Sequence, residues 1–287
     1  MASIQADVTL VGGGIMSATL AMLLHRLNPA WHICMIEQLP DVAQESSQAL
    51  HNAGTGHAGY CELNYTPPDA QGHVGIQRAL DINAAFEVSL QFWSHLVESE
   101  PALDPSTFIN RVPHLSAVWG EQNIAFLKSR YAALSSHHLF ASMQWAEDPH
   151  TLQHWMPLML AGRAAEPKLA ATRVEHGSDV NFGALTRTLI HALQQQGRFE
   201  LLTNTKVMGL HQSHGGKKRW TLKARKLPGS ETLTIESPFV FLGAGGSALH
   251  LLQKSGIKEA AGYGGFPVSG QWLICQDPAI VQQHHAK

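Results

Sequence analysis

The run DVTLVGGGIMSATLAMLLHRLNP, followed by WHICMIEQ, leaves few folds open to this chain. Val8, Leu10 and Val11 make a short apolar run of the kind a parallel strand buries on both faces. Gly12, Gly13 and Gly14 turn the chain, Ser17 to Leu27 reads as a helix, and Asn28-Pro29 stops it. A second short strand then ends at Glu37, 23 residues after Gly14 (37 − 14). Strand, glycine turn, helix, strand and acid together form a dinucleotide-binding unit. Gly12 supplies the turn, and Gly14, lacking a Cβ, lets backbone approach a pyrophosphate. The N–H groups opening the helix then meet the phosphate charge. Ser17 stands where a third glycine serves close helix–strand packing. Glu37 can accept from the ribose hydroxyls and would repel a 2′-phosphate, which disfavours NADP and leaves NAD and FAD both open.

The next hundred residues break this pattern. DINAAFEVSLQFWSHLVES carries Ile82, Phe86, Leu90, Trp93 and Val97 on one helical face. A strand is expected near Ser116–Trp119, then a glycine turn and a helix from about Asn123, with the tryptophans in a core. The α/β pattern resumes with DVNFGALTRTLIHALQQQGRFELL. TNTKVMGLHQ and KRWTLKARKLPGSETLTIE read as a small β-meander around a Pro-Gly turn. PFVFLGAGGSALHLLQKSGI gives another strand, a second glycine turn and a helix. Gly243 and Gly245 there are either a structural turn or a second cofactor contact. QWLICQ reads as a last strand with nothing after it to pair with, so the chain is expected to be a piece of a longer one.

Composition narrows the partners. Only 15% of residues are charged, against roughly 25% in a typical soluble domain. The net charge is −2, with no basic stripe, which argues against nucleic acid. Three cysteines, Cys34, Cys61 and Cys275, lack paired spacing and fit free thiols in a reducing, cytoplasmic compartment. There is no room for a signal peptide, and no apolar run of about 20 residues that would span a bilayer. Of the 18 histidines, the adjacent pairs His137-His138 and His284-His285 point apart, so no metal site is expected.

A dinucleotide fold split by a second domain, with a β-meander before a late glycine turn, favours FAD. The stretch VAQESSQALHNAGTGHAG follows the first acid. There, glycine backbone can approach a flavin, and Ser46, Ser47, Asn52 and Thr55 can complete its hydrogen bonding. The expected cofactor contacts are Gly12, Gly13, Gly14, Ser17, Glu37, Ser46, Ser47, Asn52, Ala53, Gly54, Thr55, Gly56, Val207, Gly243 and Gly245.

VGGGIMSATL, DVAQESS, NAGTGHAGYCELNYTP, INRVPHLSAVWGEQNIAFLKSRYAAL, SDVNFGALTR, FVFLGAGGSALHLLQKSGI and GFPVSGQWL resemble the malate:quinone oxidoreductase family, over nearly the whole chain from Ala6. The resemblance implies an α/β fold of the glutathione-reductase/D-amino-acid-oxidase type. Its FAD-binding Rossmann-like domain (1–70 and 172–256) is interrupted by an α+β substrate domain (71–171, resuming at 257–287). It implies FAD-dependent oxidation of (S)-malate to oxaloacetate, with electrons passed to membrane quinone from the inner face of the cytoplasmic membrane. The family usually has asparagine where this chain has His51. H-N-A-G is similar to the H-N-S-G of 2-hydroxyglutarate oxidases, which keeps another 2-hydroxy acid open; a truncated and inactive chain is the other alternative. Hydride removal leaves a hydroxyl proton to be taken up, and histidine suits that step. His57 is the expected base, or else a residue that only orients the loop; His51 is a second candidate. Arg111 and Arg173 could fork a carboxylate. Cys61 reads as a packed thiol.

Overall fold

Val8–Val11 and Ile33–Ile36, whose every residue is buried, lie side by side at the centre of a parallel sheet. A computed structural model describes residues 2–100, 103–163, 168–213, 219–268, 270–271, 273–284 and 286–287. The chain divides into two compact units.

The first unit comprises Met1–Ala53, Glu100–Phe108 and Asn181–Trp272. Its parallel sheet runs Phe239–Leu242, Val8–Val11, Ile33–Ile36, Phe199–Leu202. The helices Ile15–Leu27 and Phe182–Gln195 pack against each other. Leu10, Met22, Ile33, Met35 and Ile36 are almost wholly buried, each worth about 1.5–3 kcal/mol of transfer free energy. Asn181 caps the second helix by accepting from Ala184 N–H at 2.9 Å. A second sheet contains the expected meander, Thr205–Gln212, Trp220–Lys226 and Thr232–Ser237. Ala2–Gln5 adds to its edge in parallel. Leu222, Ile235, Val207, Cys34 and Ile36 share one core.

The second unit comprises Gly54–Ser99, Ile109–Val180 and Leu273–Lys287. Its antiparallel sheet places Leu169–Val174 between His114–Trp119 and Gln144–Ala146. The helix Gln77–Ser99 buries Ala79, Asn83, Trp93 and Leu96, close to the expected stripe, while Ile82 and Phe86 are half-buried. Trp93 and Trp155 are core residues, but Trp119 is 54% exposed on the strand end, contrary to expectation. The helix expected from Asn123 spans Glu121–Ser135, opened by Gly120.

The units are cut elsewhere than at 70, 171 and 256. The chain enters the second unit at Gly54, because Val180 N–H donates to Gly54 O at 2.6 Å and Gly56 N–H to Ser178 O at 2.8 Å. It leaves at Asn181, since Leu169–Val174 is the middle strand of the second unit's sheet. Residues 100–108 return to the first unit, where Arg26 Nη2 donates to Glu100 Oε1 at 2.6 Å. The strand expected over 271–276 is not formed among its described residues, and Trp272 lies outside them. A strand needs a partner for its N–H and C=O groups. Leu273 instead is fully exposed and Ile274 half-exposed.

Candidate functional site

The three glycines between the first strand and its helix are set by their neighbours. Gly12 has φ +102° and donates to Ile36 O at 2.8 Å. Gly13 N–H donates to Glu37 Oε2 at 2.7 Å, and its carbonyl accepts from Ala43 N–H at 3.0 Å. Glu37 Oε1 takes a second N–H, from Leu39 at 2.8 Å. The acid at the end of the second strand therefore braces the glycine turn, and a carboxylate has further lone pairs for donors from a ligand. Gly14 is the N-cap of Ile15–Leu27 and makes no side-chain cap; the first turn has no acidic residue. Ser47, nearly buried, accepts from Ile15 N–H at 3.0 Å. A helix start whose own N-cap residue makes no side-chain cap, lined by small residues and with no acid in its first turn, fits an anion.

The second glycine turn belongs to the same place. A Cβ on Gly243 would collide with Ser17 Oγ and come within 2.9 Å of Phe241 Cε1. Ser17 is wholly buried, as close packing requires. A Cβ on Gly245 (φ +50°) would come within 3.8 Å of Ser46 Oγ. Asn52 Nδ2 donates to Ser46 O at 3.0 Å and Gln48 O at 2.9 Å, and His51 Nδ1 lies 3.0 Å from Glu45 O. His51 thus braces its own loop while remaining exposed. Of the expected cofactor contacts, the structure gathers Gly12–Gly14, Ser17, Glu37, Ser46, Ser47, Asn52, Gly243 and Gly245. Ala53 is an exposed residue at the end of the unit, and Val207 is buried in the meander core. Gly243→Ala is expected to cost about 1–3 kcal/mol by overpacking. Adding Ser17→Ala should restore part of that loss in urea denaturation, because it removes the atom the new methyl strikes.

Gly54, Thr55, Gly56 and His57 lie in the second unit. A Cβ on Gly54 would sit 2.8 Å from Val180 O, and one on Gly56 would sit 2.7 Å from Phe86 Cζ. Packing of this loop on Ser178–Val180 and on the Gln77–Ser99 helix accounts for both glycines. Thr55 bridges to Asp179. His57 Nδ1 stands 3.0 Å from Glu62 Oε1, with the imidazole half-exposed and the carboxylate largely covered. The Glu62 hydrogen bond raises the histidine pKa against the opposing effect of burial. Burial pushes Glu62 up, but the hydrogen bond from His57 and its own backbone outweigh it and leave the carboxyl below its ordinary value.

Sequence reading missed the residues around this pair. Arg130 is wholly buried and clamps the loop from inside; burial pulls its guanidinium down to about 10. His114 is buried too, which lowers its pKa, and its Nε2 lies 3.0 Å from Ser178 O. The Cys61 thiol is pushed up to about 12, first by burial and then by Glu62, so it stays a thiol. Arg111 lines a cleft of about 290 Å³ with Tyr60, Phe86, His176 and Ser178. Arg173 instead pairs with Glu175 at 2.9 Å and stacks on Trp155. His137 accepts from Leu139 N–H, and its ring does not point away from that of His138 as expected but lies 4.3 Å from it, centroid to centroid, at the start of a 3-10 turn where the strand and helix rule does not hold; His285 lies outside the described residues. Among the described residues no helix is long and apolar enough to cross a membrane.

The sign of the pH response follows from the two shifts. Below the unfolded value of 6.5 the raised His57 contributes fully, and that contribution is lost as pH rises through its folded value. Above the unfolded value of 4.5 the depressed Glu62 contributes fully, and that contribution is lost as pH falls through its folded value. Glu62→Gln should therefore cost more stability between those two unfolded values than at alkaline pH. Urea midpoints at the two conditions test this, and an equal loss at both would refute it.

A parallel sheet, a glycine turn braced by an acid and a second glycine turn against it define a dinucleotide-binding protein of the FAD-type Rossmann-like class. Solved structures share the fold. L-α-glycerophosphate oxidase from Mycoplasma pneumoniae, solved with FAD bound, matches with TM-score 0.62 at 17% identity over 88% of this chain and 57% of its own. Glycine oxidase from Geobacillus kaustophilus matches with TM-score 0.59 at 16% identity, over 88% of this chain and 58% of its own. The malate:quinone oxidoreductase family model matches residues 4–287, and the chain belongs to that family. "Probable malate:quinone oxidoreductase" of Tolumonas auensis is 73% identical over 100% of this chain and 58% of its own length. The counterpart from Methylobacillus flagellatus is 58% identical over 99% of this chain and 57% of its own. The chain thus spans a little over half the length of these relatives.

Proposed function

We propose that this chain is the FAD-binding portion, with part of the substrate domain, of an enzyme that oxidises (S)-malate to oxaloacetate and passes the electrons to membrane quinone. The observation that carries the reading is the Gly12–Gly14 turn braced by Glu37, within a chain that matches the family along residues 4–287. Gly12–Gly14 and the start of the Ile15–Leu27 helix would hold the pyrophosphate, with Ser46, Ser47 and Asn52 beside them. Glu37 would accept from the ribose hydroxyls. Gly243 and Gly245 serve the turn that packs on Gly12. FAD, when bound, supplies the acceptor for the hydride that leaves the hydroxyl-bearing carbon. His57 takes the hydroxyl proton, and the second unit, with Arg111 in its cleft, holds the dicarboxylate. Electron transfer to quinone would bring the enzyme to the membrane, as a peripheral protein on the inner face of the cytoplasmic membrane in this reading.

The purified chain should show a flavin absorbance spectrum at one FAD per chain, and Glu37→Ala should weaken retention about tenfold or more, the scale of a charged hydrogen bond. Malate and 2-hydroxyglutarate should be compared with a dye acceptor on this chain, because His51 gives it the H-N-A-G sequence. Faster turnover of 2-hydroxyglutarate would replace malate as the substrate. A purified chain that takes up no FAD would sink the cofactor assignment.

A further inference from the structure

We infer that Glu62 is a positioning residue that holds His57 in the Nδ1–H tautomer and leaves Nε2 as the nitrogen that takes up a proton. The inference rests on the proposed role of His57 and adds the residue that governs it. His57 Nδ1 is 3.0 Å from Glu62 Oε1 and 3.4 Å from the Tyr65 hydroxyl. Glu62 Oε1 stands at ion-pair distance from Nδ1 and an ionised carboxylate can only accept, so a neutral ring that carries one N–H is favoured with it on Nδ1; the Tyr65 hydroxyl, which could donate to Nδ1 instead, lies farther off. Among the described residues, Nε2 has no hydrogen-bond partner, and the ring is 57% exposed.

The hold is mutual. Both Glu62 oxygens are shut off from solvent and neither makes a hydrogen bond of good geometry, and among the described residues His57 is the one basic group within ion-pair distance. A covered carboxylate is costly unless a donor or cation compensates it. Other groups near the pair are Cys61, Tyr65, His114 and Arg130, with Arg78 over the Tyr65 ring at 5.3 Å. Cys61 and Tyr65 are both raised, and His114 is lowered by burial, so none of the three carries charge near neutrality. Glu62 is the charged group that favours protonation of His57, and burial opposes it. When a substrate hydroxyl reacts, its O–H bond would break and the proton would join Nε2 as C=O forms, and bound FAD would supply the acceptor for the hydride of the hydroxyl-bearing carbon.

The test is nuclear magnetic resonance of the chain with isotope-labelled histidine, titrated from about pH 5 to pH 9, the range over which histidines titrate. His57 is assigned by the signal lost in His57→Gln. The expected wild-type result is a neutral form protonated at Nδ1, titrating above 6.5. Glu62→Gln, which keeps an acceptor oxygen but no charge, should retain that tautomer and titrate at lower pH. Glu62→Ala should lose the tautomer preference as well. A wild-type ring protonated at Nε2, or an unchanged titration in Glu62→Gln, overturns the inference. Turnover of malate with a dye acceptor separates this from the base role. There the acid limb of kcat/KM should move to lower pH in Glu62→Gln with KM little changed. A limb that stays put while the spectra shift removes His57 as the base and leaves Glu62 holding the ring.

Discussion

Gly12→Ala is expected to lower the unfolding free energy by about 3 kcal/mol or more, the sum of a strained backbone and an overpacked contact. The residue has φ +102°, a conformation L side chains rarely adopt. A Cβ there would strike Gly243 O and stand 2.8 Å from the Gly243 carbonyl carbon and 2.9 Å from Ala244 Cα. These are backbone atoms at the end of a paired strand and cannot rotate aside. The relief available is to move Phe239–Leu242 away from Val8–Val11, which gives up sheet pairing. Gly120→Ala is the internal control, since Gly120 has φ +86° but nothing within 4 Å of its Cβ position. It should cost about 1–3 kcal/mol, the backbone contribution alone. Urea denaturation of both variants makes the comparison. Equal losses would mean that the contact between the two glycine turns carries no weight.

Arg130→Ala should destabilise the protein by about 3–5 kcal/mol, as removal of a buried, hydrogen-bonded charge does. Its Nε donates to Thr66 Oγ1 at 3.0 Å, and Nη2 donates to Gly59 O and Tyr60 O, both at 3.1 Å. Alanine leaves these acceptors dry and opens a cavity beside Leu134 and Phe140, which share the core with Tyr60. Arg130→Lys keeps the charge but not the fork, and should lose about 1–3 kcal/mol. Hydrogen exchange across 59–66 should rise in both variants. Unchanged exchange there would show that the loop is fixed by other contacts.

Elements whose cause is local could be read from the sequence. The VTLV strand, the glycine turn, the Asn-Pro stop and Glu37 each announce themselves within a few residues, and the structure joins them as expected. Gly243 was legible as a turn. Its need to be glycine was not, because the atom that forbids a side chain is Ser17 Oγ, over two hundred residues away. Arg130 looked like any charged residue on a helix; only the three-dimensional approach of Thr66 and the Gly59 and Tyr60 carbonyls shows why it is buried. Glu62 was passed over because a single acid near a histidine has no pattern until a distance is known. The 271–276 stretch erred the other way. Its short apolar run suits a strand, but pairing is a property of two segments, and the described residues give it no partner.

The order of the central sheet also sets a timetable for synthesis. Val8–Val11 is made well before one of its flanking strands, Phe239–Leu242, which is translated about 230 residues later. At about 5–20 residues per second, that wait is on the order of 10–45 s. Ile33–Ile36 waits in the same way for Phe199–Leu202. For that interval two of the most apolar strands in the chain have an open edge, the state in which a nascent polypeptide is most prone to pair with the wrong partner. Nascent-chain yield, more than the stability of the finished fold, is therefore where slow translation or a missing chaperone should first be felt.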